Sequence, residues 1–306
     1  MKNFLLKSVG FFLLLVLIFG GFEWALRRIP NDYNYKATYY RHHDKEIKIW
    51  NVGSSHAYYG INPDYFEKAA FNGAHVSQSL DFDLKLLRKY IRRMDSLEVF
   101  ILPVSYFSLF SRLEKGAEAW RCINYSEYPL AQFGLRKCLR IFGDQAAFDR
   151  AIEGLKGSRN DRSCLDNGMG SAFRYENRYV QLDSIAAVSA ARHKKSLHRK
   201  IMAQNESYIK QMARLCQKHQ VKIILLSTPV HQSYYQRLDS TQLAITRETG
   251  HRIAADFPHC HYLDWMQDER FVTEDFFDAD HLNHQGAIKL TQYLNDFIRD
   301  FSENKE

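Results

Sequence analysis

The sequence lacks the motifs that mark several common classes of protein. None of its five cysteines belongs to a Cys-x-x-Cys pair, which argues against a zinc or redox motif of that kind. No internal repeat or low-complexity segment appears. No RNA- or DNA-binding motif accompanies the net charge of +7, and the paired histidines His42-His43 and His259/His261 have no accompanying ligand set. We therefore expect no nucleic-acid partner, no metal and no cofactor.

The odd number of cysteines bears on the redox state of the chain. Outside the cytoplasm, an odd count leaves at least one free thiol. Cys122, Cys138 and Cys164 fall within one segment and could form a bridge there. The alternative is that all five cysteines are buried and reduced, and the sequence leaves both interpretations open.

An apolar run covers residues 9–26 and follows two lysines near the N-terminus. Its length is close to the roughly 20 residues that a helix needs to span a bilayer. We predict a membrane anchor in residues 1–28, and a cleaved signal peptide is the competing interpretation. No clear Ala-x-Ala cleavage site follows the run, although Gly20-Gly21 offers small residues, and the absence of an early cysteine excludes a lipoprotein signal.

The flanking charges bear on orientation in the membrane. Arg27 and Arg28 beyond the run oppose Lys2 and Lys7 before it in the positive-inside rule, but a very short N-terminal tail is easily left inside. We expect a single-pass protein of the cell membrane whose main domain is extracytoplasmic. Residues 29–45, polar and rich in tyrosine, would form a juxtamembrane linker.

The remaining residues, 46–306, alternate strand and helix patterns. Short apolar stretches predict five strands, over residues 46–52, 70–72, 98–104, 221–226 and 261–263. Amphipathic stretches predict helices over residues 81–94, 201–219, 239–257 and 285–301. Because strands alternate with helices, the predicted fold class is α/β: a three-layer α/β/α sandwich with a parallel five-stranded sheet.

The alternation stops between residues 106 and 200, which we interpret as a long insert after the third strand. The insert contains aromatic helical pieces such as residues 130–141 and a Gly/Asn-rich loop at residues 166–170. Loops of this length in α/β domains are usually lids or substrate loops, and a small helical subdomain is a compatible alternative. The densest basic cluster, residues 192–200, is either a solvated face or a contact for an anionic polymer or phosphate-rich headgroups.

A candidate nucleophile follows the first predicted strand. Ile49 and Val52 supply strand character, Gly53 permits a sharp turn, and Ser54 and Ser55 follow. A serine at the carboxyl end of a strand, just before a helix, is where α/β folds expose a nucleophile. The alternative is a Ser/Gly turn without chemistry.

Partners for this serine lie near the other end of the chain. Asp278 and His281 are three residues apart and precede a helical pattern. A serine hydroxyl needs a base, usually histidine, which a carboxylate orients. We predict Ser55 as nucleophile, His281 as base and Asp278 as the orienting carboxylate. Asp280 is a weaker substitute for Asp278. Ala57 replaces the last glycine of a Gly-x-Ser-x-Gly elbow, which argues against an ordinary α/β-hydrolase.

The two segments Gly53-Ser54-Ser55 and Asp278-Ala279-Asp280-His281 together resemble the first and last sequence blocks of the SGNH/GDSL hydrolase superfamily. Ser54 stands where the first block usually has Asp. That variant is similar to the membrane-anchored branch that handles cell-envelope polymers, including teichoic-acid D-alanylation and alginate O-acetylation proteins. The resemblance runs from about residue 46 to the last helix, except for the insert, and implies a flavodoxin-like SGNH fold.

The resemblance also implies an oxyanion hole, where this sequence departs from the family pattern. The family uses the N–H of the nucleophile, a glycine in a second block and an asparagine in a third. The second block offers a backbone N–H from Gly73 or Ser77 and the side chain of Gln78. The third block lacks the asparagine, so Ser105 or another group would replace it. Losing one donor costs on the order of 3 kcal/mol of transition-state stabilisation.

Two functional hypotheses follow from this resemblance. The first is a membrane-anchored, extracytoplasmic SGNH-type serine esterase or O-acyltransferase acting on an acylated cell-envelope glycan or lipid-linked sugar. The second is a non-catalytic SGNH-fold protein that binds glycan or a membrane-bound O-acyltransferase partner. The complete set of Ser55, Asp278 and His281 favours the enzyme, and the missing asparagine favours the binding protein.

Overall fold

The computed structural model describes residues 1–128, 147–171 and 182–303. The chain divides into two compact units. One unit combines residues 1–38 with 117–162, and the other combines residues 39–116 with 163–306. The predicted helical piece at residues 130–141 and Cys138 lie outside the described residues, and the other four cysteines are buried.

The second unit is built on one sheet of five parallel strands. The strands are β1 (Ile49–Asn51), β2 (Ala70–Asn72), β3 (Val99–Pro103), β4 (Lys222–Ser227) and β5 (Cys260–Asp264). Their order across the sheet is β2-β1-β3-β4-β5, so the chain reverses its direction of travel between β1 and β3. Ligand sites of open α/β sheets form at the carboxyl ends of strands beside such a reversal.

Burial explains why these short segments are strands. Every residue of β3 is buried, and only Lys222 at the start of β4 is partly exposed, as expected for central strands covered on both faces. Helices lie on both sides of the sheet. The predicted α/β class with a parallel five-stranded sheet is therefore confirmed.

Ten α-helices occur among the described residues, and the four that amphipathic patterns predict in the second unit agree with those patterns to within a few residues. The ten helices span Lys2–Arg28, Asp32–His43, Ser55–Gly60, Leu80–Tyr90, Ala147–Leu155, Leu182–His193, Arg199–Lys218, Gln232–Tyr235, Ser240–Asp256 and His284–Glu303. The helix at Asp32–His43 occupies most of the segment interpreted as a linker. Tyr40 there is fully buried and accepts a hydrogen bond from the Trp50 indole at 3.0 Å, so aromatic packing orders this segment.

The first unit contains the apolar N-terminal helix. Lys2–Arg28 is the one helix among the described residues that is long and apolar enough to cross a membrane, with a mean hydropathy of 2.3 over its best window, none of it buried. Its last turn packs within the unit, because Gly154 closely approaches Ile29 and the backbone at Ala25. Tyr33 and Tyr125 stack edge to face at 5.1 Å, so part of the predicted insert belongs to this unit.

Candidate active site

Ser55 stands beyond the carboxyl end of the interior strand β1. The backbone leaves the strand through Gly53, whose φ of +117° is unfavourable for a residue with a side chain. Ser54 is extended and occupies the N-cap position of a short helix that begins at Ser55, without a capping hydrogen bond from its side chain. The Ser55 hydroxyl is therefore held on the first turn of a helix above the sheet edge, and its side chain is only half-buried.

A tight turn before the C-terminal helix holds the candidate base. One oxygen of Asp278 accepts the backbone N–H of Asp280 at 3.0 Å and that of His281 at 2.8 Å. Such a turn, closed by an Asp side chain, needs only the local sequence. Phe276 and Leu282 pair as an antiparallel bridge across it. The spacing of three residues therefore fixes the carboxylate beside the imidazole of His281.

The tertiary structure brings Ser55, His281 and Asp278 together across 226 residues of sequence. The Ser55 Oγ lies 2.8 Å from His281 Nε2. On the other side of the ring, His281 Nδ1 lies 3.0 and 3.1 Å from the two Asp278 oxygens. An Nδ1–H donated to Asp278 leaves the Nε2 lone pair free to accept the serine proton, which is the arrangement that nucleophilic catalysis requires.

The charges around His281 favour its protonated form. Burial lowers the pKa of His281, but the Asp280 and Asp278 carboxylates outweigh that effect, so its pKa lies above the ordinary value. Asp278 accepts hydrogen bonds from the imidazole, whereas the nearest Asp280 oxygen is 3.7 Å from Nδ1. The geometry therefore gives Asp278 the orienting contact, in line with the sequence preference for it over Asp280.

A buried polar layer lies behind the imidazole of His281. His56, next to Ser55, stacks edge to face with His281 at 5.1 Å between ring centroids. Its Nδ1 is 2.9 Å from the Ser105 Oγ and 3.4 Å from the Thr228 Oγ1. These three groups come from the carboxyl ends of β1, β3 and β4, so the parallel sheet itself assembles the layer.

Contacts of the four suggested oxyanion residues differ from what their sequence positions imply. Gly73 is a correction: its N–H donates to the Asn51 carbonyl at 2.7 Å, so this N–H cannot serve an oxyanion. Gly73 is instead a packing glycine, since a Cβ there would lie 2.2 Å from the Tyr40 hydroxyl. Ser77 adopts a left-handed conformation with φ of +60° in a half-buried turn.

The other two suggested donors are held by neighbouring side chains. The Gln78 amide donates to Asp83 at 2.6 Å, and the Ser105 hydroxyl contacts His56 rather than Ser55. The Ser55 N–H is the first of its helix and, among the described residues, donates to no backbone carbonyl. It is therefore the clearest donor for an oxyanion in this site.

Asn72 is a supporting residue that sequence reasoning missed. Its side-chain amide is fully buried and donates to the carbonyls of Ala57 at 2.9 Å and Ile61 at 2.8 Å. Its amide oxygen accepts the Ala74 N–H at 3.0 Å. Asn72 therefore fixes the helix that carries Ser55. An asparagine at the end of a short apolar strand was the available signal.

The insert contributes to the site from two places. The Gly/Asn-rich loop packs against the Ser55 helix, where the Gly170 N–H donates to the Tyr58 carbonyl at 2.8 Å. At the insert's other end, His193 lies 4.4 Å from Phe107 between ring centroids, and Phe107 also stacks on His56. Part of the insert thus lines the surroundings of Ser55, and the lid itself remains a prediction.

Among the described residues, one group of metal-ligating side chains stands out. His56, Asp280 and His281 offer ligand atoms that all lie within 4.8 Å of one another. However, both ring nitrogens of His281 already face partners, Ser55 on one side and Asp278 on the other. A metal bound through His281 would break one of these contacts, so the group fits a polar cluster around a base better than a metal centre.

Comparisons with known proteins concern the fold. No protein-family model matches the chain, and no curated protein matches its sequence. Solved structures similar to it include a GDSL-like lipase from Bacteroides thetaiotaomicron VPI-5482, with 10% identity over 88% of this chain and 99% of that chain and a TM-score of 0.44. A protein named as an acylhydrolase from Bacteroides fragilis NCTC 9343 has 11% identity over 86% and 95%, with a TM-score of 0.42. One named as a platelet activating factor from Streptococcus pneumonia has 12% identity over 86% and 90%, with a TM-score of 0.45.

Proposed function

We propose that this chain is a serine esterase or O-acyltransferase of the SGNH/GDSL superfamily. One observation carries the proposal: Ser55 Oγ lies 2.8 Å from His281 Nε2, while His281 Nδ1 lies 3.0 Å from Asp278. The order of the residues along the chain and their positions after parallel strands agree with the sequence resemblance. The geometry supports acyl transfer through a serine.

The reaction follows from these contacts. His281 Nε2 accepts the Ser55 proton as Oγ attacks the ester carbonyl carbon, and the carbonyl oxygen becomes an oxyanion near the Ser55 N–H. When the C–O bond of the ester breaks, the imidazolium returns the proton to the leaving alcohol, and the acyl group stays on Ser55. Water or a sugar hydroxyl then attacks this acyl-enzyme with His281 again as base. Asp278 keeps the imidazole oriented throughout.

The setting we propose is the outer side of a cell membrane. The helix Lys2–Arg28 has the length and apolar surface for a single-pass anchor, and its exposed apolar side chains lack a covering within the described chain. An anchored SGNH domain of this branch suits an acylated cell-envelope glycan or a lipid-linked sugar. A membrane-bound O-acyltransferase is the partner that we propose for a transfer reaction.

A second candidate function rests on the oxyanion site. Gln78 and Ser105, the two suggested side-chain donors, are held by Asp83 and His56, and the third block has no asparagine. An incomplete set of donors favours a non-catalytic SGNH-fold protein that binds glycan or an acyltransferase. The accessible Ser55 and the hydrogen-bonded His281 favour the enzyme, because a binding protein has no need of that alignment.

The test measures chemistry at Ser55 in the full-length protein in detergent. We expect release of p-nitrophenol from its acetate and covalent labelling by a fluorophosphonate. Because triad members act as a unit, Ser55→Ala and His281→Ala should each remove most of the rate, roughly 10⁴-fold, and the double variant should lose little more. Asp278→Asn should cost somewhat less. The adjacent Ser54→Ala is the matched control and should retain the rate.

Two results would contradict the proposed enzyme. Labelling that survives Ser55→Ala would place the nucleophile elsewhere. A well-folded wild-type protein that neither turns over the ester nor reacts with the fluorophosphonate, yet retains glycan, would support the binding protein.

A further inference from the structure

Asp280 is buried without a hydrogen-bond partner. Its side chain has no exposed surface, and among the described residues neither carboxylate oxygen is within hydrogen-bonding geometry of a donor. Buried carboxylates are normally paired or hydrogen-bonded, because an isolated buried charge costs several kcal/mol. The triad does not use Asp280 as its orienting carboxylate, so its position calls for a separate explanation.

Imidazole rings surround one oxygen of this carboxylate. Asp280 Oδ2 lies 3.5 Å from His56 Nε2, 3.7 Å from His281 Nδ1 and 3.8 Å from His193 Nδ1. The guanidinium of Arg192 approaches the same oxygen at 3.9 Å, but its side chain is 59% exposed. Asp280 therefore sits in a cage of histidines, close to all of them and hydrogen-bonded to none.

Contacts of His56 indicate which of its nitrogens carries the proton. The Ser105 and Thr228 hydroxyls face His56 Nδ1 and can donate to it. Nδ1 is then the acceptor, and the hydrogen stays on Nε2, directed at Asp280. Burial lowers the pKa of His56, so the ring is neutral and brings a dipole toward the carboxylate without a full positive charge. His193 is also neutral, because burial lowers its pKa to about 3.

While His281 is neutral, the only full positive charge that these neighbours bring to Asp280 is that of the largely exposed Arg192. When His281 takes the Ser55 proton, a positive charge appears 3.7 Å from Asp280 Oδ2. An attraction that the neutral imidazole lacks then forms during the reaction. Interactions that strengthen only as the transition state forms are those that accelerate a reaction.

We propose that Asp280 is a second carboxylate of the triad, a positioning residue that stabilises the His281 imidazolium by charge while Asp278 orients it by hydrogen bonds. His56, whose Nδ1 faces the Ser105 hydroxyl, presents its Nε2 to Asp280 at 3.5 Å from the other side. The inference deepens the proposed function and rests on it.

Other groups also set the proton affinity of His281, and each must stay constant in a test. Those facing His281 or Asp280 are Asp278 on the same turn, His56 and Tyr59 on the Ser55 helix, Arg192 and His193 on the helix Leu182–His193, and Tyr234 on the helix Gln232–Tyr235. Asp280→Asn keeps the shape of the side chain and replaces its charged carboxylate with a neutral amide, so it leaves these groups in place.

The experiment follows His281 in the full-length protein in detergent. Nuclear magnetic resonance of ¹⁵N-labelled histidine, assigned with His281→Gln, gives the titration midpoint of His281 without any need for turnover. Since an opposite charge within about 4–6 Å raises such a midpoint by about 1–3 units, Asp280→Asn should lower it by about 1 unit or more. The acid limb of kcat/KM should move the same way, and kcat should fall about 10-fold or more.

Stability separates this role from a structural one. A residue that merely holds the fold would lose thermal stability on substitution at any pH, whereas removing this charge should leave the melting temperature unchanged or raise it at alkaline pH, where His281 is neutral. Asp275→Asn is the matched control: this buried carboxylate lies on the same segment but pairs with Lys289 at 2.8 Å, and its loss should not move the His281 midpoint. Asp280→Ser serves as a second neutral variant if Asp280→Asn does not fold.

The outcomes distinguish this inference from the proposed function. An unchanged His281 midpoint in folded, active Asp280→Asn would overturn the role of Asp280 and leave the triad standing. A lower midpoint with a lower kcat and an unreduced melting temperature would support it. A wild-type protein that is neither labelled nor active would overturn the proposed function, whatever the titration of His281 shows. Loss of wild-type activity on treatment with EDTA would overturn the inference, because the cage would then hold a metal.

Discussion

Replacing Asn72 with alanine should loosen the helix that presents Ser55. The buried amide donates to the Ala57 and Ile61 carbonyls at 2.9 and 2.8 Å, and it accepts the Ala74 N–H at 3.0 Å. Asn72→Ala removes three short hydrogen bonds at a site without solvent and takes the amide donor away from the Ile61 carbonyl, whereas the Ala57 carbonyl still accepts the Ile61 N–H at 3.2 Å. At about 1 kcal/mol for each bond, plus a penalty for unsatisfied groups, the expected loss in the free energy of unfolding is about 3–5 kcal/mol.

The chemistry of the amide gives a second, sharper variant. Asn72→Asp would turn two donated N–H groups into a carboxylate facing carbonyl oxygens. It should therefore destabilise the protein more than Asn72→Ala does. Both variants should slow fluorophosphonate labelling of Ser55, because the nucleophile depends on this helix for its alignment with His281.

Urea unfolding of the full-length protein in detergent, followed by tryptophan fluorescence, measures the stability change. The control is Asn295→Ala, whose amide makes two hydrogen bonds of 3.0 Å with Glu67 at the surface and should cost less than about 1 kcal/mol. A loss below about 1 kcal/mol for Asn72→Ala, with normal labelling, would show that the Ser55 helix does not depend on this amide.

Three further predictions concern the loop, the pH dependence and the membrane. Gly168→Ala should destabilise the protein by about 2 kcal/mol or more in thermal unfolding, because φ is +86° and a Cβ would lie 2.1 Å from the Asn72 carbonyl oxygen. The control is Gly157→Ala, which should cost less because open space surrounds that residue, whose φ is +67°. Burial raises the pKa of Asp83 to about 8, so the folded state holds a proton that the unfolded state loses near pH 4. The stability that Asp83 contributes is therefore present in full below about pH 4 and is lost as the pH rises toward 8. In Asp83→Asn, the free energy of unfolding measured in urea should change less with pH across that range. A pH profile identical to that of the wild type would refute this. Finally, Lys2–Arg28 should keep the mature protein in the carbonate-extracted membrane pellet, and a soluble form beginning near Gly21 would contradict the anchor.

The sheet could be predicted from the sequence because burial leaves a local record. β3 and β4 are apolar because both of their faces are covered, and the helices around them repeat apolar residues at helical spacing. The turn at Asp278 is also local, since its carboxylate caps the backbone N–H of a residue three positions later. The strands and the amphipathic helices could therefore be predicted from neighbouring residues, and the turn at Asp278 has the same local origin.

The parts that sequence reasoning missed depend on contacts between distant segments. The helix Asp32–His43 follows from the packing of Tyr40 on Trp50, and its polar residues show no apolar stripe that would announce it. The insert, predicted as one element, is divided between two compact units. Gly73 matched a family position for an oxyanion donor, yet the register of β1 and β2 directs its N–H to Asn51.

The sequence by itself determined the sheet, the apolar helix and the identity of a serine, a histidine and an aspartate with complementary chemistry. Only the tertiary structure decided which polar groups became buried together. Asp278 and Asp280 differ by two positions, but one faces the imidazole N–H and the other enters a solvent-free cage with His56. A hydrogen bond forms or fails within a few tenths of an ångström, and desolvation depends on what covers the side chain. Both the distance and the cover are set by the packing of segments far apart in the chain.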